Sequence, residues 1–171
     1  MPASIRFMIS ASKIIDAIKA QGVTHVVGLA DNLCRVLFES LQSEESIEVV
    51  HVSREGEAFA IASGLYIGGK KPLILIQNTG FLESGDAFRG TSWIMRIPQV
   101  MLIAYRGYRT LAPDVDRKDT VAEFTEPTLK AWNIPYKTML GDDDIPMIER
   151  AFEIAEKSAK PAALLVAETT D

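Results

Sequence analysis

Ser53-Arg54-Glu55-Gly56-Glu57-Ala58-Phe59-Ala60-Ile61-Ala62-Ser63-Gly64 is the stretch on which the fold reading turns. It follows an apolar run, Ile47 to Val52, that reads as a strand. Two glutamates open it, and small and apolar residues then suit a helix from about Arg54 to Ile67, with Ala58, Ala62 and Leu65 on one stripe. Gly68-Gly69 ends the helix, and Pro72 to Ile76 is the unbroken apolar run expected of a strand covered on both faces. Gln77-Asn78-Thr79-Gly80 reads as a polar, glycine-containing loop beyond it. A carboxylate entering a helix directly after a strand stands over the carboxyl edge of the sheet, where open α/β proteins bind their ligands.

The same alternation extends in both directions. Upstream, Ser10 can cap a helix with Ala11, Ile14, Ile15 and Ile18 on one face, and Val23 to Val27 follows as a strand. Gly28 to Asn32 is a turn, and Leu33, Val36, Leu37 and Leu41 mark the next helix, with Asp31 or Asn32 available as its cap. Downstream, Glu83 to Met95 reads as a weakly periodic helix and Pro98 to Ala104 as another buried strand. Residues 105–126 carry mixed charge without a clean period and read as a long loop or short irregular elements. Pro127 suits the first turn of a short helix, Thr128 to Trp132. Ile134 to Thr138 and Ala162 to Ala167 read as strands, separated by a helix that Asp144 can cap. The fold class expected is α/β: a single doubly wound, mainly parallel sheet with helices on both faces, one domain over residues 1–171.

Composition narrows the function classes. With 47% hydrophobic and 24% charged residues, the 171-residue chain has the balance of a globular protein, and no apolar run reaches the roughly 20 residues that span a bilayer. Met1 to Arg6 lacks the apolar core of a secretory signal, and the single Cys34 forbids an intrachain disulfide, so a cytoplasmic setting is expected. The net charge of −5 argues against a nucleic-acid partner, although it permits a local basic pocket. Phosphoacceptor modules need an aspartate at the end of a central strand; the strand ends here carry Gly28, Gln77 and Tyr105 instead.

The polar residues at the strand ends each have a structural and a functional reading. Asp31 and Asn32 either cap a helix or line a substrate pocket. Asn78 and Thr79 either satisfy the backbone of their turn or contact a ligand. Arg106 either pairs with one of the chain's acids or clamps an anion through its planar fork. Arg54, beside Glu55, can pair with it. His25 and His51 lack partners that suggest a metal or a triad, and no metal site is expected in this chain. Cys34 is either a favoured thiolate near a helix start or buried and inert.

A glutamate entering a small-residue helix, Gly64 nine positions after Glu55, and a Pro-led strand ending at a glycine resemble the pyrimidine-binding domain of thiamine diphosphate enzymes. Within that class the chain is similar to the sulfopyruvate and phosphonopyruvate decarboxylase group, through Arg54-Glu55-Gly56-Glu57-Ala58, Ile76-Gln77-Asn78-Thr79-Gly80, Tyr105-Arg106-Gly107 and Asn133-Ile134-Pro135-Tyr136. The resemblance implies that Glu55 is the catalytic glutamate, hydrogen-bonded to N1′ of the cofactor's aminopyrimidine and favouring its imino tautomer. It implies cofactor contacts from Glu55, Gln77, Asn78, Thr79 and Gly80, and substrate contacts from Asp31, Asn32, Asn78 and Arg106. Two segments depart from the group: Ala30-Asp31-Asn32 stands where a Pro-Asp-Ser turn is common, and Phe81 to Asp86 replaces a short Gly-Leu-Gly-Asn continuation.

The family's metal-anchoring Gly-Asp-Gly motif with its downstream asparagine has no counterpart in this sequence, since Gly141-Asp142-Asp143-Asp144 is the only similar start. The resemblance therefore implies an alpha subunit that shares thiamine diphosphate with a beta subunit carrying the diphosphate-binding domain and the Mg2+. It also implies pairing with a second copy and a small anionic 2-oxo acid as substrate. The alternative expectation is a non-catalytic α/β regulatory or ligand-binding module.

Overall fold

The computed structural model describes residues 8–171; the reading of Met1 to Arg6 lies outside them. Six strands form one parallel sheet: β1 (His25–Gly28), β2 (Glu48–His51), β3 (Pro72–Gln77), β4 (Val100–Ala104), β5 (Tyr136–Met139) and β6 (Ala162–Val166), in the spatial order β2-β1-β3-β4-β6-β5. Every pair is parallel, so each connection crosses over, and helices cover both faces. One face packs α1 (Ala11–Ala20), α2 (Arg35–Gln42) and α7 (Met147–Ser158) against Val26, Leu73, Leu75, Val100, Leu102 and Leu164. The other packs α3 (Glu55–Ile67) and α6 (Thr120–Ala131) against Val27, Ile74, Ile76, Met101, Ile103 and Leu165. Alternate residues of β3 and β4 thus feed two cores, which is why both strands read as unbroken apolar runs. The doubly wound class expected from the sequence is the one observed.

Chain direction reverses between β1 and β3: β1 is followed by β2 on one side, whereas β3 leads through β4 to the other half of the sheet. That reversal leaves a crevice at the carboxyl ends of the strands. Gly28, the last residue of β1, lies so close to β3 that a Cβ there would overlap the Leu75 carbonyl oxygen.

The local boundaries correct several expectations. Gln77 to Gly80 is not a loop: Gln77 is extended and α4 (Asn78–Glu83) begins at once. Its glycine answers to a close side-chain approach and not to turn freedom. The run from Glu83 to Met95 is broken into α5 (Gly85–Ala87) and a π-helical turn, Phe88–Trp93, and this wider winding shifts the phase of the apolar residues and explains their weak period. Residues 105–126 include the short irregular element expected, but also a helix start that was not. They hold a 3-10 turn, Tyr108–Leu111, and the first half of α6, capped by Asp119, whose Oδ1 accepts from Val121 N at 3.2 Å. Pro127 sits inside α6 and not in its first turn; it and Glu123 are exposed, so the carbonyl it leaves unpaired is on the solvent side. The apolar period was masked there because one of the three buried positions, between Ala122 and Leu129, is Thr125.

Expected caps also differ. Ser10 precedes α1 but its hydroxyl meets Ser12 instead of the helix backbone, while its N–H donates to Asp142. Asp144 closes the turn before α7 by accepting from Leu140 N at 2.7 Å, and α7 itself starts at Met147 after Pro146. The α3 helix is apolar on nearly every side. Ala58, Phe59 and Ala62 are buried against the sheet, yet Ile61, Tyr66 and Ile67 on its outer side are exposed.

Candidate active site

The N-terminus of α3 rises just past the end of β2, where the chain passes from Val52 through Ser53 and Arg54. Three charged side chains share this turn, and each has its own partner. Glu57 takes the capping role, its Oε2 accepting from Ser53 N at 3.0 Å and Arg54 N at 3.3 Å. Arg54 turns away from Glu55 and pairs with Glu83 at the end of α4, which raises the guanidinium's pKa through the charged hydrogen bond. Glu55 is left half-buried, with no ion pair or hydrogen bond among the described residues. The ion pair Arg54–Glu55 considered from sequence is therefore not formed.

Glu55 lies against α4. A Cβ at buried Gly80 would overlap Cγ, Cδ and Oε1 of Glu55, so glycine is the residue that admits this carboxyl. The spacing argument singled out Gly64, but Gly64 is exposed and a Cβ there meets nothing within 4 Å. Gly80, not Gly64, makes room for the glutamate within this chain.

The residues expected around Glu55 divide into two groups. Asn78 is fully buried and faces the interior: Nδ2 donates to Arg106 O and to Thr125 Oγ1, each at 3.0 Å. Its amide ties the start of α4 to the β4 turn and to α6, which is the backbone-satisfying role, while Oδ1 has no partner. Thr79 is exposed and donates to Gln77 Oε1 at 2.8 Å.

The second group borders a cleft of 540 Å³ at the crevice between strand ends. Asn32 after β1, Gln77 at the end of β3 and Arg106 after β4 all line it. Asp31 does not cap α2, whose N-cap is Cys34, but closes the turn before it: Oδ1 accepts from Leu33 N at 2.6 Å and Cys34 N at 2.8 Å, leaving a buried Oδ2 without a partner. Arg106 does pair with an acid, its Nε standing 3.4 Å from Asp119 Oδ2, yet 59% of its side chain is exposed. Gly107 holds this turn with φ +81, and a Cβ there would come within 2.6 Å of Asp119.

Sequence reasoning missed two residues of the cleft, Arg109 and Glu168, which are joined at 2.6 Å. Nothing in the local sequence marks them, because they sit 59 positions apart and meet only through the pairing of β4 with β6. Cys34 is 1% exposed, and burial pushes its thiol well above the usual range, so it is the inert form of the two considered. His25 is bonded to Thr24 and near Glu48, and His51 to Gln42; no group of three or more metal-ligating side chains occurs among the described residues.

Residues 8–88 match the family model described as thiamine pyrophosphate enzyme, N-terminal TPP binding domain. The chain resembles that domain. Its matched segment spans β1 to β3 and carries Glu55 and Gly80. The chain is also 28% identical over 153 residues to a sulfopyruvate decarboxylase subunit alpha of Methanocaldococcus jannaschii, covering 89% of each chain. It is 26% identical over 160 residues to the subunit of that name from Methanococcus maripaludis, covering 93% of this chain and 95% of the relative. A phosphonopyruvate decarboxylase of Streptomyces hygroscopicus is 31% identical over 100 residues, 58% of this chain and 25% of that one. The resemblance read from the sequence is thereby borne out, in its cofactor class and in both members of the decarboxylase group. No helix among the described residues is long and apolar enough to cross a membrane.

Proposed function

We propose that the chain is the alpha subunit of a thiamine diphosphate-dependent 2-oxo acid decarboxylase of the sulfopyruvate or phosphonopyruvate class, a single pyrimidine-binding domain that works in the cytoplasm with a diphosphate-binding beta subunit. The observation that carries the reading is the unpaired Glu55 carboxyl, seated over Gly80 at the carboxyl edge of a sheet whose sequence matches the N-terminal domain of these enzymes.

The donor set fits the cofactor's aminopyrimidine. Glu55 is half-buried, is not neutralised by Arg54, and has open hydrogen-bonding capacity toward a ring nitrogen. Gln77, which accepts from Thr79, lines the neighbouring cleft. When bound, thiamine diphosphate supplies the carbon nucleophile and the electron sink for loss of carbon dioxide. This chain's part is to orient the ring through Glu55 and Gly80 and to bind the acid through Asn32 and Arg106, with Asp31 shaping the turn that carries Asn32, while the buried Asn78 braces the start of α4 and does not reach the acid. No group of three or more metal-ligating side chains occurs among the described residues, and the reading assigns the Mg2+ to the beta subunit. The exposed apolar side of α3 supports assembly with that subunit and with a second copy.

Co-expression with a chain bearing the Gly-Asp-Gly motif, followed by assay on sulfopyruvate and phosphonopyruvate, tests the reading. Glu55→Gln keeps size but cannot share the proton, and carbon dioxide release should fall by about 100-fold or more. A complex that forms and keeps full turnover with glutamine at this position refutes the assignment.

A further inference from the structure

Two ion pairs border the 540 Å³ cleft, and both point the same way. Glu168 follows β6 and is 8% exposed, whereas 61% of the Arg109 side chain bonded to it is open. Asp119 exposes 25% of its side chain against 59% for its partner Arg106. In both, the acid is the more buried partner and the guanidinium the more exposed, so the cleft is lined by two accessible cations on a chain whose net charge is −5. Arg109 uses one Nη2–H on Glu168, and the other donors of its fork stay available for a planar or tetrahedral anion.

The turn that carries Arg109 is braced on all sides. Thr110 Oγ1 donates to Gly107 O at 2.7 Å and accepts from Asp119 N at 2.8 Å. Lys118 Nζ donates to the carbonyls of Leu111 and Ala112, each at 3.1 Å. Tyr108 packs on buried Tyr105 with ring centroids 5.2 Å apart. A guanidinium on such a turn, held from below by a desolvated carboxylate, is placed before the ligand arrives and loses little freedom on binding it.

We propose that Arg109 is a specificity-determining residue that binds the acidic tail, a sulfonate or phosphonate, of the 2-oxo acid, and that Glu168 positions it. This rests on the decarboxylase reading for the identity of the ligand. The buried carboxylate braces the fork at the cleft, whose lining also includes Arg106. An acid with no anionic tail gains nothing from the pair, so the arrangement selects for charge at the end remote from the carboxylate that is lost.

The test uses the complex with its beta subunit. Steady-state kinetics on sulfopyruvate and on pyruvate are compared for the parent, Arg109→Gln, Arg109→Lys and Glu168→Gln, and each complex is titrated calorimetrically with 3-sulfopropanoate, which has no 2-oxo group. Arg109→Gln should reduce the preference for sulfopyruvate over pyruvate about 10- to 100-fold, mainly through KM, with a matching loss of 3-sulfopropanoate affinity. Lysine at 109 should recover part of both. Glu168→Gln should raise the KM for sulfopyruvate more than it lowers kcat; an equal loss of kcat on both acids would make Glu168 merely structural. An unaltered preference together with unaltered 3-sulfopropanoate binding in Arg109→Gln overturns the proposal. Should the parent complex decarboxylate neither acid, the functional reading fails on its own. The titration then decides the anion site, upheld if binding to the parent is lost in Arg109→Gln and overturned if the parent binds no sulfonate.

Discussion

Replacing Gly80 with alanine is expected to separate activity from stability. The added Cβ would occupy the space of the Glu55 carboxyl end, and that side chain is half-exposed and unpaired, so it can swing aside. Holding it off its present rotamer costs about 0.5–1.5 kcal/mol. Against this, Gly80 lies inside α4, where alanine is favoured over glycine by about 0.8–1 kcal/mol. The two terms cancel to within about 1 kcal/mol, which for a domain of this size moves Tm by only about 2–4 °C. The carboxyl, however, is displaced by about 1 Å or more, and a misplacement of that size costs on the order of 100-fold in rate. Thermal unfolding of the chain and carbon dioxide release by its complex measure the two sides. A variant with near-parental turnover would show that the Glu55 position seen here is not the working one. A fall in Tm of more than about 10 °C would show that the carboxyl cannot yield and that the compensation is misjudged.

The neighbouring crevice gives a contrasting expectation. At Gly28 the added Cβ would meet the Leu75 carbonyl, which belongs to a paired strand and has no rotamer to change, so Gly28→Ala should cost more than about 4 kcal/mol and show as loss of soluble folded chain. Alkaline pH offers another. Glu126 accepts from Tyr136 at 2.6 Å and from Tyr105 at 3.3 Å; burial first, and then that carboxylate, pushes Tyr136 up to about 12 and Tyr105 higher still. In the unfolded chain both phenols ionise near 10, so above that pH the unfolded state holds fewer protons and stability falls as pH rises from 10 toward 12. Tyr136→Phe should flatten this fall in a pH series of denaturant midpoints; an unchanged slope would refute the assignment.

Much of this architecture was legible because parallel strands covered on both sides write themselves as unbroken apolar runs. The strands expected over Pro72 to Ile76 and Pro98 to Ala104 are observed as Pro72–Gln77 and Val100–Ala104. Glu55 was legible through its place after β2, and the crevice through the convergence of Asn32, Gln77 and Arg106. What stayed hidden has physical causes. The α6 helix buries a threonine on its inner face and carries a proline, so its pattern imitates a loop. The π-helical turn at Phe88–Trp93 breaks the phase that a helix reading depends on. Gly80 looked like a turn glycine because spacing records chain distance, whereas its role comes from the packing of α3 on α4. Arg109 with Glu168 could not be foreseen from either residue alone, since strand order and not sequence brings them together.

The place of β6 in the sheet has a consequence for how the chain is made. Strands β4 and β5 leave the ribosome before it, yet neither touches the other in the finished sheet, and β6 must enter between them. From Met139 to Ala162 the ribosome needs roughly 1–5 s at 5–20 residues per second. Throughout that interval the edge of β4, all five of whose residues are buried in the end, stands unpaired. Until β6 arrives, the nascent chain exposes an apolar strand edge at β4. Slow codons between those two strands would lengthen that exposure, and a chaperone acting there would find β4 as its target.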